Sequence, residues 1–220
     1  MIDRDTHLEE VKRAGRRIWL VRHGCTAWNE QQRFCGHSDI SLAQEGQAQA
    51  RWLADYLSAE KIDALYASDL LRARETAALI GGSRVQPLPI HATSAWREIN
   101  FGAWEGLTYV EIAAQFPAQL SFFSDPEVSS PPAGESLTHL RQRVLAAFEW
   151  TLADCEARGY GDIVLVSHGG PLRVLLSCVL ALPLARQWQF VLDPGSLSAL
   201  NLLPFQNPEA PLGTLSLLNF

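Results

Sequence analysis

Two short apolar segments, each followed closely by a histidine, limit the folds open to this chain more than any other feature. Residues 18–21 lead into Arg22 and His23, and residues 163–166 lead through a serine into His168. Continuously apolar runs of this length are typical of strands covered on both faces, as in the parallel sheets of α/β proteins. Ligands bind at the carboxyl ends of such strands. The pattern therefore predicts two neighbouring central strands that deliver both histidines to one edge of a sheet.

The remaining segments alternate between strand and helix patterns, which indicates a mostly parallel sheet with helices on both faces. Helical spacing of apolar residues follows Ser41, which we interpret as an N-cap with Gln44 completing a capping box. Glu135 opens a longer amphipathic helix. Further helices are predicted from residue 69 and over 172–182, and further strands at 64–68, 198–203 and 214–218. Residues 85–91, interrupted by two prolines, are predicted to be an edge strand or an extended connection. The expected fold is α/β, a three-layer α/β/α sandwich whose mostly parallel central sheet has an antiparallel edge.

The length of 220 residues suits one domain with a modest insertion. We predict an N-terminal extension over residues 1–16, with alternating charges, and a single domain over 17–220. Within that domain, a stretch at about 100–135, rich in Pro, Ser and aromatic residues, is predicted to be a lid or insertion.

Charge and cysteine content narrow the function classes. The chain has 18 Lys and Arg against 24 Asp and Glu, a net charge of −6, and no basic run, so we expect neither nucleic acid nor a membrane as a partner. The four cysteines have no zinc-binding spacing and are typical of reduced thiols in a cytosolic protein. No signal-peptide pattern is seen, and the longest apolar stretch, 174–185, is too short to span a bilayer. We therefore expect a cytoplasmic protein.

If His23, His168, Arg22 and Arg72 converge, they form a site for phosphoryl transfer. Two guanidinium groups fit a phosphate dianion through charge-assisted hydrogen bonds, and helix N-termini after the two strands add N–H donors. A neutral imidazole can attack phosphorus to form a phosphohistidine, while a second, protonated imidazole stabilises the developing charge. No two-metal carboxylate cluster is evident in the sequence, so we expect no metal and no cofactor.

Glu98 is the candidate general acid. It lies in a glycine-rich loop with Trp96, Phe101 and Trp104. Burial and a neighbouring phosphate anion both favour the protonated form of a carboxyl group. Glu98 can therefore donate a proton to a leaving alkoxide and then accept one from the water that hydrolyses the phosphohistidine.

Considered alone, each candidate also has a purely structural interpretation. Arg72 fits an exposed helix position, and His168 fits a core histidine bonded to a backbone carbonyl. Glu98 fits an ion pair with Arg97 or a cap of the following segment. Asn29 fits a turn or a helix cap. Only convergence of these residues in one pocket favours the catalytic interpretation.

An ordered set of motifs resembles the histidine phosphatase superfamily, which has the phosphoglycerate-mutase-like fold. The RHG tripeptide alone is a weak signal, but the set covers nearly all of the chain from about residue 17. It comprises Val21-Arg22-His23-Gly24 with Trp28-Asn29, Gly36, Leu42 and Gly46, Ser68-Asp69-Leu70-Leu71-Arg72-Ala73 with Thr76-Ala77, Arg97-Glu98 with Phe101-Gly102-Ala103-Trp104-Glu105-Gly106, and Ser167-His168-Gly169-Gly170.

The resemblance implies a role for several of these positions. His23 would be the phosphorylated nucleophile and Glu98 the proton donor. Since the family includes monomers and dimers, either a monomer or a homodimer is expected. Cys25 departs from the family, which more often has a polar residue after RHG, and Cys35 lies in the loop facing the pocket; neither removes a catalytic group. The phosphate would be bound by Arg22, Asn29, Arg72, His168 and Gly169.

Phosphatases and mutases of this family share the pocket, and the short chain between the acid loop and the second histidine favours a phosphatase. Segments 132–136, 193–199 and 213–219 resemble α-ribazole phosphatases. We therefore predict a metal-independent phosphomonoesterase that acts on α-ribazole 5′-phosphate in cobalamin biosynthesis. The alternatives are a broad-specificity sugar-phosphate or phosphoglycerate-type phosphatase, a phosphoglycerate mutase, and a non-catalytic module that binds a phosphorylated ligand.

Overall fold

A single six-stranded sheet forms the centre of the computed structural model, which describes residues 15–125, 129–203 and 212–220. Across these described residues the strands lie in the order β3-β2-β4-β1-β5-β6. Their bounds are β1 (Arg17–Arg22), β2 (Ala64–Ser68), β3 (Ile90–Thr93), β4 (Ile163–Ser167), β5 (Leu197–Leu202) and β6 (Gly213–Leu217).

Strand directions follow the prediction. The pairs β1–β4, β4–β2 and β2–β3 are parallel, whereas β5 runs antiparallel to both β1 and β6. The two apolar segments are neighbours in the middle of the sheet, with Arg22 opposite Ser167. The predicted α/β/α sandwich with an antiparallel edge is therefore confirmed.

Six α-helices and several short 3₁₀ helices connect the described strands. The α-helices are α1 (Ala27–Glu30), α2 (Gln44–Leu57), α3 (Leu71–Gly82), α4 (Tyr109–Gln115), α5 (Leu137–Arg158) and α6 (Gly169–Val179). The 3₁₀ helices span Ser94–Trp96, Gly102–Trp104, Pro117–Phe123 and Leu184–Gln189. No helix among the described residues is long and apolar enough to cross a membrane.

The alternating faces of β1 show why the segment is apolar throughout. Trp19 and Val21 belong to the core between the sheet and helices α2 and α3, while Ile18 and Leu20 belong to the core under α5 and α6. Successive side chains of a strand point to opposite faces. A strand covered by helices on both sides therefore has no polar face.

Several helix ends differ from the sequence prediction; α3 begins at Leu71 and α5 at Leu137, two residues after their predicted starts. Helix α2 begins at Gln44 with Ala43 as its N-cap and no side-chain cap, so the capping box predicted at Ser41 is wrong. The preceding loop is held by a long-range hydrogen bond instead: the Leu42 amide donates to the Glu75 carboxylate at 2.8 Å. Helix α6 begins at Gly169, three residues before the predicted start at Leu172.

The described parts of the predicted insertion, residues 100–125 and 129–135, include side chains packed in the main core. Phe122 and Trp104 are buried in the main core with ring centroids 5.5 Å apart. Its role as a lid stays a prediction. Most of the predicted extension, residues 1–14, lies outside the described residues, while Arg16 donates to the Tyr160 carbonyl oxygen at 3.0 Å.

Candidate active site

Parallel pairing of β1 and β4 brings the two histidines together at the carboxyl ends of the strands. The His23 amide donates to the Ser167 carbonyl oxygen at 3.0 Å, which continues the strand register past the end of β1. The rings of His23 and His168 lie edge to face with their centroids 4.9 Å apart. Both rings are buried, His23 being 4% exposed and His168 0%.

Hydrogen bonds set the tautomer of His23. Nδ1 lies 2.8 Å from the Gly24 carbonyl oxygen, which can only accept, so Nδ1 carries the proton. Nε2 therefore holds the lone pair, and it accepts a bond from Arg72 Nε at 3.2 Å. Burial, together with the charges of Arg72 and Arg22, holds the pKa of His23 well below its ordinary value of 6.5. The imidazole is neutral, as a nucleophile must be.

His168 lies at the N-cap of α6, and neither of its ring nitrogens has a hydrogen-bond partner among the described residues. Burial and the charges of nearby groups, Arg72 first among them, hold the pKa of His168 well below 6.5. The protonated second imidazole expected from the sequence is therefore not the form favoured in the ligand-free pocket. A buried polar ring without a partner points to a ligand that supplies one.

Arg72 is fully buried in the first turn of α3, so the exposed-helix interpretation is wrong. Besides His23, the hydrogen-bond acceptors of its guanidinium in the described part of the chain are backbone carbonyl oxygens. Nη1 donates to Ser38 at 2.8 Å, and Nη2 donates to Gly36 at 2.7 Å and to Cys35 at 3.4 Å. These contacts fix the plane of the guanidinium beside the His23 ring.

Arg22, at the end of β1, supplies a second guanidinium and is half-buried. Nη1 donates to the Leu192 carbonyl oxygen at 2.6 Å, while Nε has no partner among the described residues. Burial lowers the pKa of Arg22 to about 10, which still leaves it charged at neutral pH.

Arg173 and Phe34 line the cavity but were missed by sequence reasoning. Arg173 lies on α6 one turn after Gly169, and its being the lone charge on an otherwise uncharged helix is the signal that could have identified it. Nε donates to the Phe190 carbonyl oxygen at 2.9 Å, and burial lowers the pKa of Arg173. Within the described residues, none of the three guanidiniums, Arg22, Arg72 and Arg173, forms an ion pair.

Glu98 faces the same pocket from the loop after β3 and is 8% exposed. Its Oε1 accepts from the amides of Ile99 at 2.9 Å and Gly170 at 3.0 Å, the latter in the first turn of α6. Its carbonyl oxygen accepts from Arg143 at 3.2 Å and lies 3.0 Å from His37 Nε2. Glu98 does not pair with Arg97, which forms a two-bond ion pair with Asp69 instead.

Asn29 combines two of the predicted interpretations. Its Oδ1 accepts from the amide and hydroxyl of Thr26, completing the capping box of α1. That assignment leaves the amide NH₂ of Asn29 as the free donor group. Asn29 also lines an open cavity of about 180 Å³ together with Arg22, His23, Phe34, Glu98, Phe101, Gly169 and Arg173.

The two cysteines near this cavity are weakly acidic thiols. Burial raises the pKa of Cys35 to about 11, and burial also raises the pKa of Cys25. Since the thiolate is the reactive form, neither is activated as a nucleophile.

This arrangement suits an anionic ligand. Arg22, Arg173 and Gly169 at the N-terminus of α6 line the cavity beside His23. Arg72 and His168 lie directly against His23 and add a guanidinium and a buried imidazole. The neutral imidazole of His23 and the carboxyl group of Glu98 both line that cavity. Such a pocket can bind a phosphate group, place a nitrogen lone pair against it, and offer a proton to the departing oxygen.

Comparison with protein families matches residues 18–207 to the histidine phosphatase superfamily (branch 1). A curated relative, phosphoglycerate mutase-like protein 4 of Arabidopsis thaliana, is 37% identical over 180 residues, covering 80% of this chain and 75% of that protein. The adenosylcobalamin/alpha-ribazole phosphatase of Salmonella typhimurium is 31% identical over 193 residues, covering 84% of this chain and 90% of that protein.

A solved structure, the alpha-ribazole phosphatase from Shigella flexneri, superposes with a TM-score of 0.80 at 30% sequence identity. The match covers 93% of this chain and 96% of that chain. The phosphoglycerate-mutase-like topology expected from the sequence is therefore shared along nearly the whole length.

Proposed function

This chain belongs to the histidine phosphatase superfamily (branch 1), and we propose that it hydrolyses small phosphomonoesters through a phosphohistidine formed on His23. The observation that carries the proposal is the state of His23. Its Nδ1 proton is held by the Gly24 carbonyl oxygen, and its Nε2 lone pair lies among guanidiniums that have no carboxylate partner. A neutral, oriented imidazole in an anion pocket is arranged for in-line attack on phosphorus.

In the first half-reaction the Nε2 lone pair attacks phosphorus and the bond from phosphorus to the leaving oxygen breaks. When phosphate oxygens take up the N–H groups of Arg72, the Nε bond to His23 yields and frees the lone pair. Glu98 gives its proton to the leaving alkoxide. Oε2 is the oxygen suited to carry that proton, because Oε1 is occupied by two amides whereas Oε2 accepts only a longer bond of 3.3 Å.

In the second half-reaction water attacks the phosphohistidine. Glu98, now a carboxylate, accepts the water proton, the phosphorus–nitrogen bond breaks, and its electron pair returns to Nε2. The products are inorganic phosphate and neutral His23. Charge on the equatorial oxygens is stabilised by Arg22 and Arg72 in both steps, and His168 donates once the bound dianion favours its protonated form.

For the substrate we propose α-ribazole 5′-phosphate, in cobalamin biosynthesis. Support comes from the relatives named for that activity and from the aromatic rings of Phe34 and Phe101 in the cavity wall, which suit the stacking of a nucleoside base. The cytoplasmic location and the monomeric or homodimeric state stay predictions.

One observation favours a second candidate, a phosphatase for acidic sugar-phosphate or phosphoglycerate-type esters. Arg33, on the same cavity wall, is neutralised by Glu111 at 3.3 Å, whereas Arg173 has no ion-pair partner among the described residues. A free guanidinium on the side of Glu98 suits a leaving group that carries a carboxylate.

A hydrolysis screen separates these candidates. The purified protein is tested with EDTA present against α-ribazole 5′-phosphate, 3-phosphoglycerate, sugar phosphates and p-nitrophenyl phosphate. Strong selectivity for the first supports the cobalamin assignment, and similar rates on all support a broad-specificity phosphatase. Transfer of phosphate between phosphoglycerates, without release, would support a mutase.

Substitution of the nucleophile tests the mechanism. His23→Ala is expected to abolish turnover, and mass spectrometry at alkaline pH should find phosphate on His23 of the wild type. His139→Ala, an exposed histidine, is the matched control and should keep full activity. Phosphate-ester binding without hydrolysis or phosphoenzyme would contradict the proposal and favour a binding module.

A further inference from the structure

The segment from Cys35 to Ser38 passes between a carboxylate and the buried guanidinium of Arg72. Three successive amides on one side of the segment donate to Glu105. The His37 amide donates to Oε1 at 2.8 Å, and the amides of Gly36 and Ser38 donate to Oε2 at 3.1 Å and 3.3 Å. Glu105 is thus saturated by backbone groups and makes no ion pair in the described part of the chain.

The carbonyl oxygens of the same segment accept from Arg72. Ser38 and Gly36 accept at 2.8 Å and 2.7 Å, and Cys35 accepts at 3.4 Å. The Cys35–Gly36 and Gly36–His37 peptide groups therefore turn their N–H ends to the negative charge and their oxygens to the positive charge. In this orientation the carboxylate polarises the peptides and strengthens the bonds on their far side.

We propose that Glu105 is a positioning residue for Arg72, acting through the backbone of residues 35–38. This inference rests on the proposed function, in which Arg72 binds the transferred phosphoryl group. A guanidinium with a carboxylate of its own would be neutralised before the substrate arrived. Holding Arg72 by carbonyl oxygens, and placing the balancing charge beyond them, orients the guanidinium while leaving it available to the phosphate.

Gly36 makes the close approach possible. A Cβ at this position would overlap Glu105 Oε1 and the Ile99 carbonyl oxygen, and would lie 2.9 Å from the Phe101 amide nitrogen. Real Cβ atoms do not approach other atoms this closely, so any side chain here would push Glu105 away from the amides. The contact between Glu105 and the amides of this segment therefore requires glycine at position 36.

Glu105→Gln is the direct test, because it removes the charge and turns an NH₂ group toward the amides while keeping the shape. Hydrolysis of p-nitrophenyl phosphate and affinity for vanadate, an analogue of the transferred group, are measured. We expect kcat/KM to fall and the vanadate Kd to rise by the same factor, about 100-fold, the cost of misplacing a catalytic group by about 1 Å.

A double-mutant cycle separates positioning from a general structural role. In the Arg72→Ala background, Glu105→Gln should cost less than about twofold, because its target is already absent. The matched control is Asp63→Asn, since Asp63 also accepts a loop amide, that of Gly161, at the opposite edge of the sheet. It should leave kcat/KM and the vanadate Kd unchanged. Equal losses in both backgrounds, or no loss from Glu105→Gln, would overturn the proposal.

A wild-type measurement keeps the test independent of how the variant folds. On addition of vanadate, the amide NMR signals of Gly36, His37 and Ser38 should shift as Arg72 engages the anion, whereas that of Gly161 should not. Unshifted signals would refute the positioning role. If the wild type binds vanadate but hydrolyses no ester, the proposed function fails while vanadate affinity and these signals still decide the role of Glu105.

Discussion

Replacing Gly170 by alanine tests whether the position of Glu98 sets the rate of ester cleavage. Gly170 lies in the first turn of α6, and its amide donates to Glu98 Oε1 at 3.0 Å. Its φ is not in the left-handed region, so the backbone itself accepts alanine. A Cβ here would overlap Glu98 Oε1, while its distance to Leu140 Cδ2, 3.6 Å, is an ordinary contact. The substitution therefore acts mainly on the carboxyl group.

The size of the effect follows from the overlap. Glu98 Oε1 has to retreat by about 1 Å to reach contact distance, and a displacement of this size costs about 100-fold in rate. That factor corresponds to about 2.7 kcal/mol of activation free energy. Alanine is the better helix former by up to about 1 kcal/mol, so the loss of rate should not come with a matching loss of stability.

Two substrates distinguish displacement of an acid from general damage. An alkyl phosphate such as glycerol phosphate needs a proton on its leaving oxygen, whereas the p-nitrophenolate ion leaves without one. We expect kcat/KM of Gly170→Ala to fall about 100-fold on the alkyl ester and much less on p-nitrophenyl phosphate. Gly82→Ala is the control, because no atom lies within 4 Å of a Cβ there. Equal losses on both substrates, or none, would refute the assignment of Glu98 as the acid.

Three further predictions concern charge and titration. His23 and His168 are neutral in the folded protein but take up protons when it unfolds. The free energy of unfolding should therefore have its full value above pH 6.5. Below that pH it should decrease by up to about 1.4 kcal/mol per pH unit for each histidine. Urea unfolding at about pH 7.5 and about pH 5.5 measures this, and a flat profile would contradict it. Arg173→Met should lower kcat/KM at least about tenfold through loss of a charged hydrogen bond, while the exposed Arg186→Met should not; equal rates for the two variants would exclude Arg173 from the site. Iodoacetamide at neutral pH should leave activity intact, because burial raises the pKa of Cys25 and of Cys35, and rapid inactivation prevented by Cys35→Ser would disprove this.

The helix boundaries show where local sequence patterns fail to predict the structure. The cap was predicted at Ser41 because serine is common at helix N-caps. The Leu42 amide instead donates to Glu75, which is distant in sequence. The predicted α6 started at Leu172, although the helix already begins at Gly169, where the Gly170 amide is bonded by Glu98. In both places a long-range carboxylate satisfied a backbone group, and spacing along the chain carries no record of such a bond.

Sequence alone determined the layered fold and the main residues brought to the pocket. Apolar runs at 18–21 and 163–166 can be buried only by covering both faces of a sheet, and the histidines that follow must then reach the same edge. Local patterns alone could place His23 and His168 together, whereas Arg72 and Glu98 were assigned to the same pocket only through the resemblance to a family.

Only the tertiary structure decided the electrostatics of the pocket. Whether His168 is neutral, whether Arg173 faces the cavity, and which backbone oxygens hold Arg72 depend on burial and on distances between segments far apart in the chain. Hydrogen bonds and charge interactions change steeply with distance and exposure, whereas residue order specifies neither. The sequence could therefore supply the list of reactive groups, and the fold alone set their protonation and orientation.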